Sequence, residues 1–371
     1  MRRLRLPWFL LLLVVVALAV VAAGCGGGDE EGAAPPAEPA PAEPPPAETG
    51  ATDTGATDTG ATPPPAGFTI GLVSDVGGVD DKGFNEFSIK GLEQAAEEFG
   101  FETRIYVSNT AEDYLPNLTA AAEDGHALVF ATGFATTPDT VTVAEQYPDT
   151  QFAGIDHFYD PPLPNTRGMV YPTEEAGYVA GVVAALMTKS NVVSTVGGEK
   201  IPSVDNWIAG FQQGVYDTKP EVEVLGGYSD DFVDQALCRE IALDHISQGA
   251  DVVFQVAGPC GLAALDAACS EGVYGIGVDA DQSFVGPCVI TSALKPLQSS
   301  VYDVAKSFAE GTYTTGDNFF YGVADLPDAQ LLAPFSADVP QDVQDAAAAA
   351  QEKITSGEID PPATLEEVQK P

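Results

Sequence analysis

From Phe68 onward the chain alternates short apolar, β-branched runs with longer segments of helical periodicity, and few architectures accommodate that alternation. Candidate strands fall at 70–76, 102–108, 127–131, 151–155 and 168–171, then at 192–196, 222–226, 251–256, 274–278 and 289–292. Between them, segments such as 174–187, 207–217, 234–248 and 262–271 repeat apolar residues at helical spacing. Strands apolar throughout and separated by helices pair in parallel and are covered on both faces. Five or so units in each half predict an α/β protein of two doubly wound parallel-sheet lobes. The residues beyond Phe68, about three hundred, suffice for two ordinary domains.

One turn between a strand and a helix carries more than punctuation. Residues 70–76 read as a buried strand, the glycine-rich acidic stretch after it as a turn, and Phe87, Leu92, Ala95, Ala96 and Phe99 as one face of a helix. In open α/β sheets, ligands lie beyond the carboxyl ends of the strands. Asp75 closes the strand and Phe84 and Asn85 open the helix, so a carboxylate, a ring and a carboxamide can converge on one molecule. The same residues also suit a tight turn in which Phe84 caps a core.

Other residues reach the same edge. Asp156 ends the strand at 151–155, Asp279 ends 274–278, Lys295 ends the segment 289–294, and Gly258 lies between a strand and a helix with Pro259 and Gly261. Phe232 follows the strand at 222–226 through the acidic loop Tyr228-Ser229-Asp230-Asp231. Two aromatic rings on facing lobes can sandwich a flat ring, a contact worth roughly 1–3 kcal/mol per base in single-stranded nucleic acids. An aspartate such as Asp279 can accept from two vicinal hydroxyls while Lys295 holds it ionised and donates in turn, a pairing suited to a ribose. Asp156 can accept from the amino or imino groups of a base. Trp207, close ahead of Gly210 and Phe211, either lines a pocket or packs in the core.

The run Ser74-Asp75-Val76-Gly77-Gly78-Val79-Asp80-Asp81-Lys82-Gly83-Phe84-Asn85 resembles the first ligand loop of the basic membrane protein family, the substrate-binding lipoproteins of nucleoside ABC importers. The resemblance continues through Phe152-Ala153-Gly154-Ile155-Asp156, Gly197-Gly198 with Gly210-Phe211, and Gly249-Ala250-Asp251-Val252-Val253-Phe254. Gly277-Val278-Asp279-Ala280-Asp281-Gln282 and Thr291-Ser292-Ala293-Leu294-Lys295 complete it, so that it spans Phe68 to about Gly322. It implies a periplasmic binding protein type I-like fold with a hinge, the chain crossing between lobes more than once. Residues 68–171 and 295–325 would form the first lobe, and 172–294 and 326–371 the second. In this family two phenylalanines sandwich a nucleobase; Phe84 matches one, and Phe232 is the best match for the other. Asp279 and Lys295 match positions that contact the sugar, and Trp207 lies near a further aromatic of the family. Pro259 and Cys260 depart from the glycine-rich pattern expected there. The implied ligand is a nucleoside of the purine type, the implied partner an ABC permease, and the implied state a monomer without cofactor. A sensor, a sugar-binding protein of the same fold and a surface adhesin or antigen are rival readings of these residues.

The amino-terminal part reads separately. Residues 1–24 have the form of a signal peptide, with Arg2, Arg3 and Arg5 ahead of an apolar run from Trp8 to Val21 that is short for a membrane span. Ala22-Ala23-Gly24-Cys25 resembles a bacterial lipobox, although Ala22 is smaller than the residue usual there, and it marks Cys25 as the site of lipid attachment. Two or more acyl chains on Cys25 would anchor the protein stably to the extracytoplasmic face of the cell membrane. Residues 25–67 repeat Ala, Pro, Glu, Gly and Thr, cannot bury enough apolar surface to order themselves, and read as a disordered acidic tether. The formal charge of −40, from 15 basic and 55 acidic residues, repels phosphates and speaks against nucleic acid as a partner.

Beyond Cys25 four cysteines remain, Cys238, Cys260, Cys269 and Cys288, an even number in an exported chain that allows three pairings into two disulfides. Cys238 and Cys260 fall near the ligand edge of the second sheet and Cys269 and Cys288 near the other, which favours Cys238–Cys260 with Cys269–Cys288. No CxxC or paired histidine supports a metal site, and His126, His157 and His245 are scattered. Gly-x-Ser-x-Gly, His-Glu-x-x-His and the P-loop are absent, and acid pairs such as Asp80-Asp81 are common in so acidic a chain. The expectation is a binding protein that does no chemistry.

Overall fold

A computed structural model describes Pro64, 66–323, 325–326 and 329–371. The expected signal peptide, the lipidation site Cys25 and all but the last residues of the tether lie outside the described residues. The first lobe is built on strands β1 (Thr69–Val73), β2 (Glu102–Tyr106), β3 (Leu128–Thr132), β4 (Gln151–Ile155) and β5 (Thr166–Val170). Helices α1 (Phe84–Phe99), α2 (Tyr114–Glu123) and α3 (Thr137–Gln146) connect them. The second lobe follows with α4 (Thr173–Met187), β6 (Val192–Gly197), α5 (Pro202–Thr218), β7 (Glu223–Tyr228), α6 (Gln235–Ser247), β8 (Val252–Val256), α7 (Gly258–Glu271), β9 (Tyr274–Asp279) and β10 (Val289–Leu294). Helix α8 (Leu297–Ala309) and strand β11 (Asp317–Phe320) return to the first lobe, and α9 (Gln341–Thr355) ends the regular structure on the second.

Both sheets are parallel throughout, in the orders β11-β5-β4-β3-β1-β2 and β10-β9-β8-β6-β7. In each, the second strand is laid on one side of the first and the third on the other. The order therefore reverses between β1 and β3 and again between β6 and β8. Those switch points open crevices at the carboxyl edge. The central strands β3 and β8 are buried along their whole length, which is why they are apolar runs without alternation. Edge strand β2 alternates, with Glu102 and Arg104 exposed and Thr103 and Ile105 half-buried.

The chain passes between lobes at Tyr171-Pro172, at Lys295-Pro296 and after β11, where Leu332 makes an antiparallel bridge with Ala293. Tyr171 and Tyr321, from the first and third passages, pack with their rings tilted and centroids 5.7 Å apart. Cys238 is bonded to Cys260 and Cys269 to Cys288, so both disulfides end on α7.

Helices α4 and α5 form the core of the second lobe and approach unusually closely. Gly177 and Gly181 share one face of α4, and Gly210 and Gly214 one face of α5, each pair four residues apart. A Cβ added at Gly210 would stand 2.1 Å from the Glu174 carbonyl oxygen, and one at Gly177 2.3 Å from that of Trp207. The interlock lets Trp207 and Phe211 reach Phe254 on β8. Overpacking a closed contact costs typically 1–3 kcal/mol. Gly210→Val is therefore expected to destabilise the protein by about 2 kcal/mol or more, measured by urea unfolding, whereas an unchanged midpoint would show that the helices can part freely.

Candidate functional site

The carboxyl edges of the two sheets face each other across a crevice of about 730 Å³, counting its open mouth. Every one of the nine ligand residues expected from sequence, from Asp75 to Lys295, borders it.

Strand β1 ends at Val73, so Asp75 stands two residues beyond the strand rather than closing it. The Ser74 hydroxyl accepts the N–H of Ser108 at 3.0 Å and ends the ladder there. The Asp75 carboxylate accepts from the Val76 N–H at 2.8 Å and from the Tyr114 hydroxyl, and it lies flush against Gly133, where a Cβ would overlap it. Gly133 also has φ +97°, so this position calls for glycine on two grounds. Burial pushes the Asp75 carboxyl up to about 6; the Tyr114 hydroxyl and the Val76 N–H pull against this, and Glu199 and Asp156 add to it.

Asn85 is 1% exposed, and its carboxamide is committed to the loop. Its oxygen accepts the Asp75 N–H at 2.9 Å, and its NH₂ donates to the carbonyls of Asp75 and Val76 at 3.3 and 3.2 Å. Both NH₂ hydrogens are thereby engaged, so Asn85 positions Asp75 more than it offers contacts of its own. Asp81, which as part of an acid pair gave no signal, caps α1: its carboxylate accepts the N–H groups of Gly83, Asn85 and Glu86 at 3.1, 2.9 and 3.0 Å. Phe84 is the first residue of that helix, its ring half-buried.

At the hinge, Asp156 follows β4 and Asp279 ends β9, both in the left-handed region at φ +66°. Aspartate tolerates this conformation better than most residues, and such backbone clusters at ligand sites. The sequence pairs Lys295 with Asp279; in the structure its ammonium lies 2.5 Å from Asp156 instead, and 4.8 and 4.9 Å from the ring centroids of Phe84 and Tyr171. Its backbone N–H donates to the Asp279 carbonyl at 3.0 Å. The Asp279 carboxyl is pushed up to about 7 by burial, against the pull of Lys295 and helped by Asp156 and Asp81.

On the second lobe the Phe232 ring packs against Gly198, where an added Cβ would come within 2.3 Å of its Cε1. Gly258 and Pro259 form the first turn of α7 rather than a loop ahead of it, since proline suits a helix start. Helix α5 likewise begins at Pro202, five residues before Trp207, for the same reason. Trp207 is 2% exposed and packs edge-on against Phe254 at 6.4 Å between centroids, so it both borders the crevice and belongs to the core.

Sequence reasoning missed Tyr114, Phe134 and Glu199, which also border the crevice. Phe134 and Glu199 each stand two residues past a strand, as Asp75 does, so the carboxyl-edge rule applied to every strand would have found them. Burial and the nearby Asp231 and Asp230 raise the Glu199 carboxyl above the usual range.

Two parallel-sheet lobes closing on one crevice through a multi-stranded hinge define a two-lobed solute-binding protein. The chain belongs to the Bmp family, described as ABC transporter substrate-binding protein PnrA-like, which matches residues 68–358. It is 31% identical to a CD4+ T-cell-stimulating antigen of Listeria monocytogenes over 80% of this chain and 88% of that one. It is 28% identical to the ABC transporter nucleoside-binding protein BmpA of Lactococcus lactis over 78% and 88% respectively. Among solved structures, an ABC transporter solute-binding protein from Aeropyrum pernix has the same fold, with TM-score 0.72 and 23% identity over 79% of this chain and 92% of that one.

Lys295 is 6% exposed, and removing one partner of a buried pair costs about 3–5 kcal/mol while replacing both with apolar residues is often neutral. Lys295→Met is expected to lower unfolding stability by about 3 kcal/mol, and Lys295→Met/Asp156→Leu to restore most of it; additive losses in denaturant unfolding would refute that coupling. The raised carboxyls of Asp75 and Asp279 favour the folded state when neutral, so their contribution is complete below the ordinary carboxylate range and disappears as pH rises through about 6 and about 7. The ligand-free protein is therefore expected to melt higher at about pH 5 than at about pH 8, and Asp75→Asn/Asp279→Asn to show a smaller difference. An undiminished difference in the double variant would count against both shifts.

Proposed function

We propose that this chain is an extracytoplasmic binding protein, lipid-anchored through Cys25, that captures a purine-type nucleoside between its lobes and delivers it to an ABC permease. The observation that carries the reading is the placement of Phe84 and Phe232, from opposite lobes, on one crevice whose hinge wall is formed by Asp156, Lys295 and Asp279. A flat base between the two rings would be stacked on both faces as the lobes close, and closure of a hinge around a ligand is an established transition. The remaining wall is rich in acceptors: Asp75, Asp156, Glu199 and Asp279 surround the crevice against the single ammonium of Lys295. Such a wall favours an uncharged ligand that presents N–H and O–H groups, which a nucleoside does, and disfavours a phosphate. The Lactococcus lactis relative, a nucleoside-binding protein, supports the same ligand class. The reading needs no cofactor and no chemistry on the ligand, and a monomer suffices for it.

Calorimetry with inosine, guanosine, adenosine and ribose tests it. A nucleoside at a hundred times its dissociation constant should add about 2.7 kcal/mol of stability, whereas ribose alone should add none. Phe84→Ala and Asp279→Ala are each expected to weaken nucleoside binding at least tenfold, about 1.4 kcal/mol. Binding of ribose in place of nucleosides, or unchanged affinity in both variants, would overturn the assignment.

A further inference from the structure

Helix α7 is cross-linked at both ends. Cys260, in its first turn, is bonded to Cys238 in the first turn of α6, and Cys269, near its end, to Cys288 just ahead of β10. The two ends have different surroundings. Gly258 and Pro259 of the first turn border the crevice, whereas the last turn lies at the opposite edge of the sheet.

Between β7 and α6 runs the segment that carries Phe232. It holds Asp230, Asp231 and Asp234, and Glu199 is close enough to Asp230 and Asp231 for their charges to raise its carboxyl. Asp230 sits at φ +53°, and Val233 is 50% exposed. The segment is held in part by its own turn, in which Asp231 accepts the N–H groups of Val233 and Asp234 and Asp234 caps α6, and in part by the Ser229 and Asp230 N–H groups donating to the carbonyls of Gly197 and Gly198. Where Phe232 itself sits, the segment is also fixed to α7: the Phe232 carbonyl accepts the Cys260 N–H at 2.9 Å, and the Phe232 ring faces Gly258 at 3.8 Å from where a Cβ would stand. The Cys238–Cys260 bond closes the same contact from the far side of the segment, with both cysteines fully buried.

We propose that the Cys238–Cys260 disulfide is a positioning element of the ligand site, holding the segment of Phe232 on the first turn of α7 so that the ring stands across the crevice from Phe84. The Cys269–Cys288 disulfide, remote from the crevice, stabilises the lobe without shaping the site. The affinity consequence rests on the nucleoside reading; the structural consequence does not.

The test compares Cys238→Ala/Cys260→Ala with Cys269→Ala/Cys288→Ala in the full chain. Hydrogen–deuterium exchange of the ligand-free proteins is expected to rise over 229–237 in the first pair alone. Calorimetry with inosine is expected to show at least tenfold weaker binding for the first pair and wild-type affinity for the second, although both melt lower. In a Phe232→Ala background, loss of the Cys238–Cys260 bond is expected to cost less than about twofold in affinity, because the two changes act through one ring. Unchanged exchange over 229–237 in the first pair, equal affinity losses in both pairs, or full additivity with Phe232→Ala would overturn the proposal. Should the alanine pair fail to fold, Cys238→Ala/Cys260→Val restores volume and takes the same measurements. If the wild-type protein does not bind inosine, the nucleoside reading falls and the exchange result alone decides this proposal.

Discussion

The Lys295 ammonium sits 2.5 Å from the Asp156 carboxylate with almost no access to water, and the two lobes are joined through that contact. The lysine's main chain belongs to the second sheet, tied by its N–H to the carbonyl of Asp279, while its side chain reaches the end of a strand in the first. Desolvating both charges is costly, and the attraction repays it only while the geometry is kept. The pair therefore ties the angle between lobes to an electrostatic match. Phe84 and Tyr171 press their rings near the same ammonium, adding cation–π attraction and excluding solvent. Because this cluster is also one wall of the crevice, the residues that set the hinge are those a ligand would touch.

Much of this could be read from residues alone. Central parallel strands are buried on both faces and announce themselves as unbroken apolar runs, as Leu128–Thr132 and Val252–Val256 do. The side-chain directions could not be read. Strand pairing places Leu294 opposite Asp279, so topology puts Lys295 beside Asp279; only the packing of one lobe on the other brings Asp156 to its ammonium. Asn85 was visible as a carboxamide at a helix start, but its commitment to the Asp75 loop depends on a fold-back of ten residues that no local pattern encodes. Asp81 was hidden by composition, since one acid among so many carries no signal until three N–H groups converge on it. Helix starts were misplaced at Pro202 and Gly258 because the apolar periodicity begins later than the proline-bearing first turns.

The two aromatic walls of the crevice are held by different means. Phe84 opens a helix whose free N–H groups are satisfied by Asp81 and whose entering loop is tied by Asn85, and its ring rests against the first lobe's core beside the Lys295 ammonium. Phe232 rides on a loop of like charges, seated against Gly198 and followed directly by a cross-linked helix. The first lobe thus relies on polar satisfaction and the second on covalent restraint and the close, glycine-lined packing of α4 on α5.

The direction of β1 has a mechanical consequence. The chain enters this strand at its amino end, while the crevice opens at the carboxyl end. Tension arriving along the segment ahead of Thr69 is taken up by a strand with parallel neighbours on both sides, β2 and β3, and spreads through the first sheet. It reaches the second lobe through the hinge passages, through the Lys295–Asp156 contact and through the close approach of Gly77 to Pro259 across the crevice. A pull along that segment would therefore enter the first lobe and be felt in the second through the same contacts that set the angle between them.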